Sequence, residues 1–76
     1  MSENIVLFDL IRDSAHQYLD RAGPCGRLLK DFNKAFERTL IETTVKYYNQ
    51  NISLASKALG ISRTTLYDKM KQYNIS

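Results

Sequence analysis

Between Leu59 and Ser62 the chain must stop one helix and start another within a few residues, and nothing else in the sequence limits its fold as tightly. In "LGISRTTLYDKM" (residues 59–70), Gly60 lies between two apolar residues. Glycine takes the left-handed backbone conformation that ends a helix without steric cost. Ser62 then offers its hydroxyl to the free amides of a new helix. Leu66, Met70 and Tyr73 follow at steps of four and three, within roughly 60° of one another on a helical wheel. That face is predicted to be buried, with Ile61 plugging the corner and Thr64, Thr65, Asp68 and Lys71 pointing away. Ahead of the glycine, Ala55, Ser56 and Leu59 give a third helix a small, apolar side that another helix can approach closely. Two short helices crossing steeply at such a corner form a helix-turn-helix.

Upstream, the apolar period is again helical. Leu7, Phe8, Ile11, Ala15, Tyr18, Leu19 and Ala22 predict a first helix over residues 3–22. "AGPCG" (residues 22–26) ends it, because proline lacks the amide hydrogen and two glycines loosen the backbone. A second helix is predicted over residues 27–48, with Leu29, Phe32, Phe36 and Leu40 on one stripe. Ile41, Val45 and Tyr48 continue that stripe after a shift of register. "NQN" (residues 49–51) breaks the pattern, and either Asn51 or Ser53 can cap the third helix. The fold class is therefore all-α, with two long helices followed by two short ones. The long helices carry more large apolar side chains than the short pair can cover. The surplus predicts a homodimer with a self-complementary interface through Leu7, Ile11, Leu29, Phe32, Phe36, Leu40 and Ile41. The competing arrangement is a monomer that packs everything internally.

Charge separates the two halves. Residues 1–50 hold seven basic and seven acidic groups, which cancel, so the formal net charge of +3 sits in residues 51–76. A neutral body with a basic end is the footprint of a polyanion binder. Free amides and the positive end of the helix dipole at Ser62 and Arg63 favour anions. A recognition helix enters the major groove of double-stranded DNA by its N-terminal residues. Arg63 can donate two hydrogen bonds to guanine. Ser62, Thr64 and Thr65 are short enough to let the helix sink in, while Lys57, Lys69 and Lys71 suit phosphate oxygens. Asn51 and Ser53 can hold phosphate at the start of the third helix. A purely structural helical hairpin would use the same residues as caps and solvated charges.

From Asn51 onward, "NISLASKALGISRTTLYDKMKQYNIS" resembles the C-terminal helix-turn-helix of the Fis family (factor for inversion stimulation), a module that also closes NtrC-type activators. The family's usual form is close to GNx(S/T)xAAxxLGIxRxTLxxK(L/M)Kx(Y/L)G(I/L). Asn51, Ser53, Ala55, Leu59, Gly60, Ile61, Arg63, Thr65, Leu66, Lys69, Lys71, Tyr73 and Ile75 match it. "LIRDSAHQYL" (residues 10–19) looks like the opening of the Fis core helix, which extends the resemblance over nearly the whole chain. It implies one Fis-like domain over residues 1–76, with dimerisation helices at 3–50 and the DNA-binding unit at 51–76. It further implies a homodimer that presents two recognition helices to successive major grooves of bent DNA, with readout depending partly on minor-groove width. A bacterial cytoplasmic, nucleoid-associated transcriptional regulator is the role implied. Asn51, Ser53, Ser62, Arg63, Thr65 and Lys69 inherit DNA contacts by matching position.

The departures carry consequences. Gln50 replaces a glycine and Ser56 an alanine, both expected to be tolerated. Tyr67, on the DNA-facing helix, and Asp68 stand where Fis is often basic. An outward Asp68 repels phosphate unless it pairs with Lys71 or accepts from a cytosine amine. The chain begins too close to its first helix to hold the β-hairpin arms with which Fis contacts a recombinase, so that partner is not expected. The initiating methionine and full set of helices argue against an excised NtrC-type end. A helical adaptor without DNA is the remaining alternative.

Other residues point nowhere specific. His16 has no second ligand at metal spacing, so no metal or other cofactor is expected. Cys25 rules out an internal disulfide and suits a reducing compartment, with Arg27 placed to lower its pKa. Of Tyr47 and Tyr48, one is expected in the core and one at its rim. No apolar run approaches the about 18 residues of a membrane span. No nucleophile–base pair or phosphate loop suggests an enzyme.

Overall fold

A computed structural model describes residues 2–76, with side chains from Val6 onward. The chain is all-α, with four helices: α1 (Ser2–Ala22), α2 (Leu28–Tyr47), α3 (Ile52–Leu59) and α4 (Arg63–Gln72). Their order and boundaries follow the apolar periods, and no strand occurs among the described residues. The chain divides into two compact units, residues 1–32 and 33–76.

The second unit holds every buried side chain among the described residues. Ile41 and Val45 from α2, Ala55 from α3, and Leu66 and Met70 from α4 form its centre. Tyr48, Ile52, Leu59, Ile61, Tyr73 and Ile75 close around them. Val45 and Leu66 have no exposure at all. Removing a leucine of this kind from water contributes about 1.5–3 kcal/mol. The last turns of α2 thus serve as the third helix of the helix-turn-helix. Tyr48 packs on the core while its neighbour Tyr47 is exposed, the two rings meeting edge-on at 4.9 Å.

Ile41 departs from its expected place at a dimer interface. It is 2% exposed in the single chain because it lies one turn before Val45, on the face turned toward the unit's own core. The other stripe of α2 is different: Leu29 is 76%, Phe36 38% and Leu40 57% exposed. The shift of register after Leu40 marks the point where the helix changes the face that it buries.

Within the first unit, α1 leaves Val6, Leu7, Phe8, Leu10 and Leu19 exposed, and Ile11 is half-buried. The Tyr18 ring meets Phe32 edge-on at 5.8 Å. Its hydroxyl donates to Asp31 at 2.8 Å and lies 3.3 Å from the Cys25 sulfur. A phenol has one hydrogen, so with Asp31 accepting it the thiol is the donor to Tyr18. Hydrogen bonding to Tyr18 and, next, to the Arg27 backbone holds the Cys25 thiol below its ordinary 9.0, while the Arg27 guanidinium lies 3.8 Å from Asp31.

Left-handed residues close all four helix ends, beginning with Gly23 (φ 63°) after α1. Gly60 takes φ 76°, and its amide and that of Ile61 both reach the Ser56 carbonyl. Gln50 takes φ 68° and donates its amide to the Val45 carbonyl at 2.9 Å. Asn74, opposite the last glycine of the Fis pattern, takes φ 55°. The glycine usual at residue 50 thus has a backbone reason, and glutamine bears a steric cost there. Gln50→Gly is expected to raise stability by up to about 1 kcal/mol, since relief of that strain exceeds the entropy regained by the unfolded chain. Urea unfolding of the two proteins measures it, and a lower midpoint for the glycine variant contradicts it.

Candidate nucleic-acid interface

The start of α4 is built by one reciprocal contact. Ser62 adopts an extended backbone (φ −72°, ψ 159°), which turns its side chain back over the first turn. Its hydroxyl accepts from the Thr65 amide at 3.1 Å and donates to the Thr65 hydroxyl at 2.8 Å. Ser62 and Thr65 therefore spend their hydroxyls on shaping the helix tip. Arg63 and Thr64 sit at the first two helical positions, both exposed, with amides that have no acceptor within the helix. Tyr67, Asp68 and Lys71 extend the exposed face. Among the described residues Asp68 forms no ion pair with Lys71, so its carboxylate stands uncompensated beside Tyr67.

A second capped tip lies at α3. Asn51 (φ −77°, ψ 96°) accepts from the Leu54 amide through its side-chain oxygen at 3.2 Å. Of the two expected caps it is Asn51 that acts, leaving Ser53 exposed with Lys57. Buried Ser56 donates to the Ser53 carbonyl at 3.1 Å, which satisfies the hydroxyl standing where alanine is usual.

Lys69 does not join this exposed set. Its ammonium lies 2.8 Å from Oε1 of Glu37, and Tyr73 donates its hydroxyl to Oε2 of the same carboxylate. The expected phosphate ligand is thus turned toward α2, because Lys69 and Tyr73 are one turn apart on the side of α4 that meets it. The Lys69 and Tyr73 hydrogen bonds hold the Glu37 carboxyl below its ordinary 4.5. In return, Glu37 pushes the Tyr73 phenol above its usual 10.0. Nothing in the sequence within a helical period of Glu37 signals this trio, since its partners lie more than thirty residues away.

Residues 34–73 match the family model described as "Bacterial regulatory protein, Fis family". A protein of Ralstonia nicotianae described as a Fis-like DNA-binding protein is 38% identical over 68 residues, spanning 86% of this chain and 87% of its own. The chain belongs to the Fis family. No solved structure gives a significant match. The family match spans Glu37, the core and both capped tips of this Fis-family chain, so the features built above share one segment. No described helix is long and apolar enough to cross a membrane, and no group of His, Cys, Asp or Glu among the described residues is arranged to hold a metal ion.

The Glu37 trio gives stability a pH dependence. A carboxyl whose folded pKa is lowered stabilises above its unfolded value and loses that contribution as pH falls through the folded one. Glu37→Gln is expected to lower the melting temperature at pH 6–8 and to have progressively less effect below pH 4.5. Melting curves across that range check it, and a difference that stays constant down to pH 3 contradicts it.

Proposed function

We propose that the chain is a homodimeric protein that binds and bends double-stranded DNA as a nucleoid-associated transcriptional regulator of the bacterial cytoplasm. The observation that carries this reading is the tip of α4. Exposed Arg63 and Thr64 precede a helix held from behind by Leu66 and Met70, so the tip projects on a rigid support. Direct readout is assigned to Arg63 on guanine, with Thr64 and Tyr67 flanking it. Lys57, Lys71, Asn51 and Ser53 hold phosphates, the last two beside the free amides of α3. Ser62 and Thr65 fix the tip, and the Thr65 hydroxyl, which accepts from Ser62, keeps its own hydrogen to donate to a phosphate.

Two tips on one duplex require a dimer. The exposed Leu7, Leu29, Phe36 and Leu40, with half-buried Ile11 and Phe32, supply its interface. Isolated apolar exposure is ordinary, but α1 and α2 repeat it at helical spacing, which is what a partner helix covers. Residues 3–50 accordingly dimerise and residues 51–76 contact DNA, with the end of α2 serving both. Successive major grooves lie about 34 Å apart, so a closer pair of tips draws the duplex into a bend.

Concentration tests the dimer. An assembly that folds with its partner melts at higher temperature as protein concentration rises. The parent is expected to show this, and Leu40→Glu, which alters an exposed side chain, to abolish it. A concentration-independent midpoint for the parent overturns the dimer.

Salt and mutation test the DNA contacts. With three or four phosphates neutralised per protomer, log K against log salt falls with a slope of about −5 to −7. Arg63→Ala is expected to cost about 1–3 kcal/mol at a preferred site and little elsewhere. Lys71→Ala is expected to weaken binding on every sequence and to make the slope shallower. Mobility-shift titrations on A/T-rich and G/C-rich centres measure all three. A flat salt response, as an adaptor helix pair would give, sinks the proposal.

A further inference from the structure

Glu37 binds Lys69 of α4 and Tyr73, the residue that caps its C-terminus, with its two oxygens, and neither the capped tips nor the apolar core requires it to. Lys69 occupies Oε1 at 2.8 Å and Tyr73 occupies Oε2. Lys69 and Tyr73 are one turn apart, and Glu37 is one turn before core residue Ile41 on α2. A single carboxylate therefore grips α4 at two points along its axis, which opposes both rotation and sliding. The side chains of Lys69 and Glu37 are 29% and 39% exposed, shielded enough to keep the ammonium in place and open enough for a phosphate to compete. In charge terms, the pair cancels one of the four cations of residues 51–76.

We infer that Glu37 is a positioning residue that withholds Lys69 from the DNA backbone and, through Lys69 and Tyr73, sets the pitch at which α4 presents its tip. The inference rests on the DNA-binding reading and adds a rule for which basic residues of α4 count. Lys71 neutralises phosphate, whereas Lys69 neutralises Glu37. A freed Lys69, without its carboxylate, becomes one more flexible cation beside the duplex. Binding then grows stronger on all sequences and less discriminating between them.

The test is a salt-slope series on the full chain with a preferred and a scrambled duplex. Lys69→Gln alone is expected to leave the slope unchanged, in contrast to Lys71→Gln. Glu37→Gln is expected to steepen it by roughly 2 for the dimer, at about 0.9 per phosphate gained. The scrambled duplex is expected to gain several-fold more than the preferred one. Adding Lys69→Gln to Glu37→Gln is expected to restore the parental slope. The inference is overturned if Lys69→Gln flattens the parental slope as much as Lys71→Gln does, or if Glu37→Gln leaves the slope as it was. Tyr73→Phe keeps the ion pair and is expected to loosen discrimination without steepening the slope, which separates pitch from charge. Should the parent bind no duplex at all, the DNA-binding reading fails separately. The grip is then read from melting temperatures, where a double variant Glu37→Gln/Lys69→Gln that loses as much as the two single variants summed overturns it.

Discussion

Leu66 against Val45 is the contact from which the rest of the second unit follows. Both are sealed from solvent, one from the recognition helix and one from the last turns of α2. Because Leu66 is the fourth residue of α4, burying it fixes the helix near its N-terminal end, where Arg63 and Thr64 stand. Arg63 and Thr64 are exposed because Leu66 and Met70 are not: on a 3.6-residue period the two requirements fall on opposite sides. A smaller side chain at residue 66 would leave a cavity at the base of the tip. Recognition would then suffer by misplacement before the chain lost its fold.

α2 divides its work along its length. Its first stripe, with Leu29, Phe36 and Leu40, stays open to solvent in the single chain, while Ile41 and Val45 turn into the core. A straight helix cannot aim all of these residues at one neighbour, and the one-residue step from Leu40 to Ile41 changes the neighbour. Glu37 lies just ahead of that step, so the hydrogen-bonded trio sits at the edge of the core.

What the sequence made legible was local. The helix ends, the caps at Asn51 and Ser62, the left-handed Gly60 and the buried face of α4 were all readable from spacings of four residues or fewer. Contacts between helices are a different matter. Ile41 shares its stripe with exposed apolar residues, and periodicity tells which residues share a face but not what covers that face. Lys69 matches the family pattern, but its acidic partner Glu37 lies on another helix. The left-handed turns at Gln50 and Asn74 escaped notice because neither residue is a glycine. The Tyr18 contact with Asp31, across the loop of residues 23–27, carries no periodic signal either.

The confinement of every buried side chain among the described residues to 41–70 has an evolutionary side. A recognition element that closes its own small core can be grafted behind unrelated polypeptides without redesigning its fold. Six buried side chains, however, are too few for comfortable autonomy in a segment of this size. Such a cassette travels easily but needs further apolar cover from whatever it is joined to.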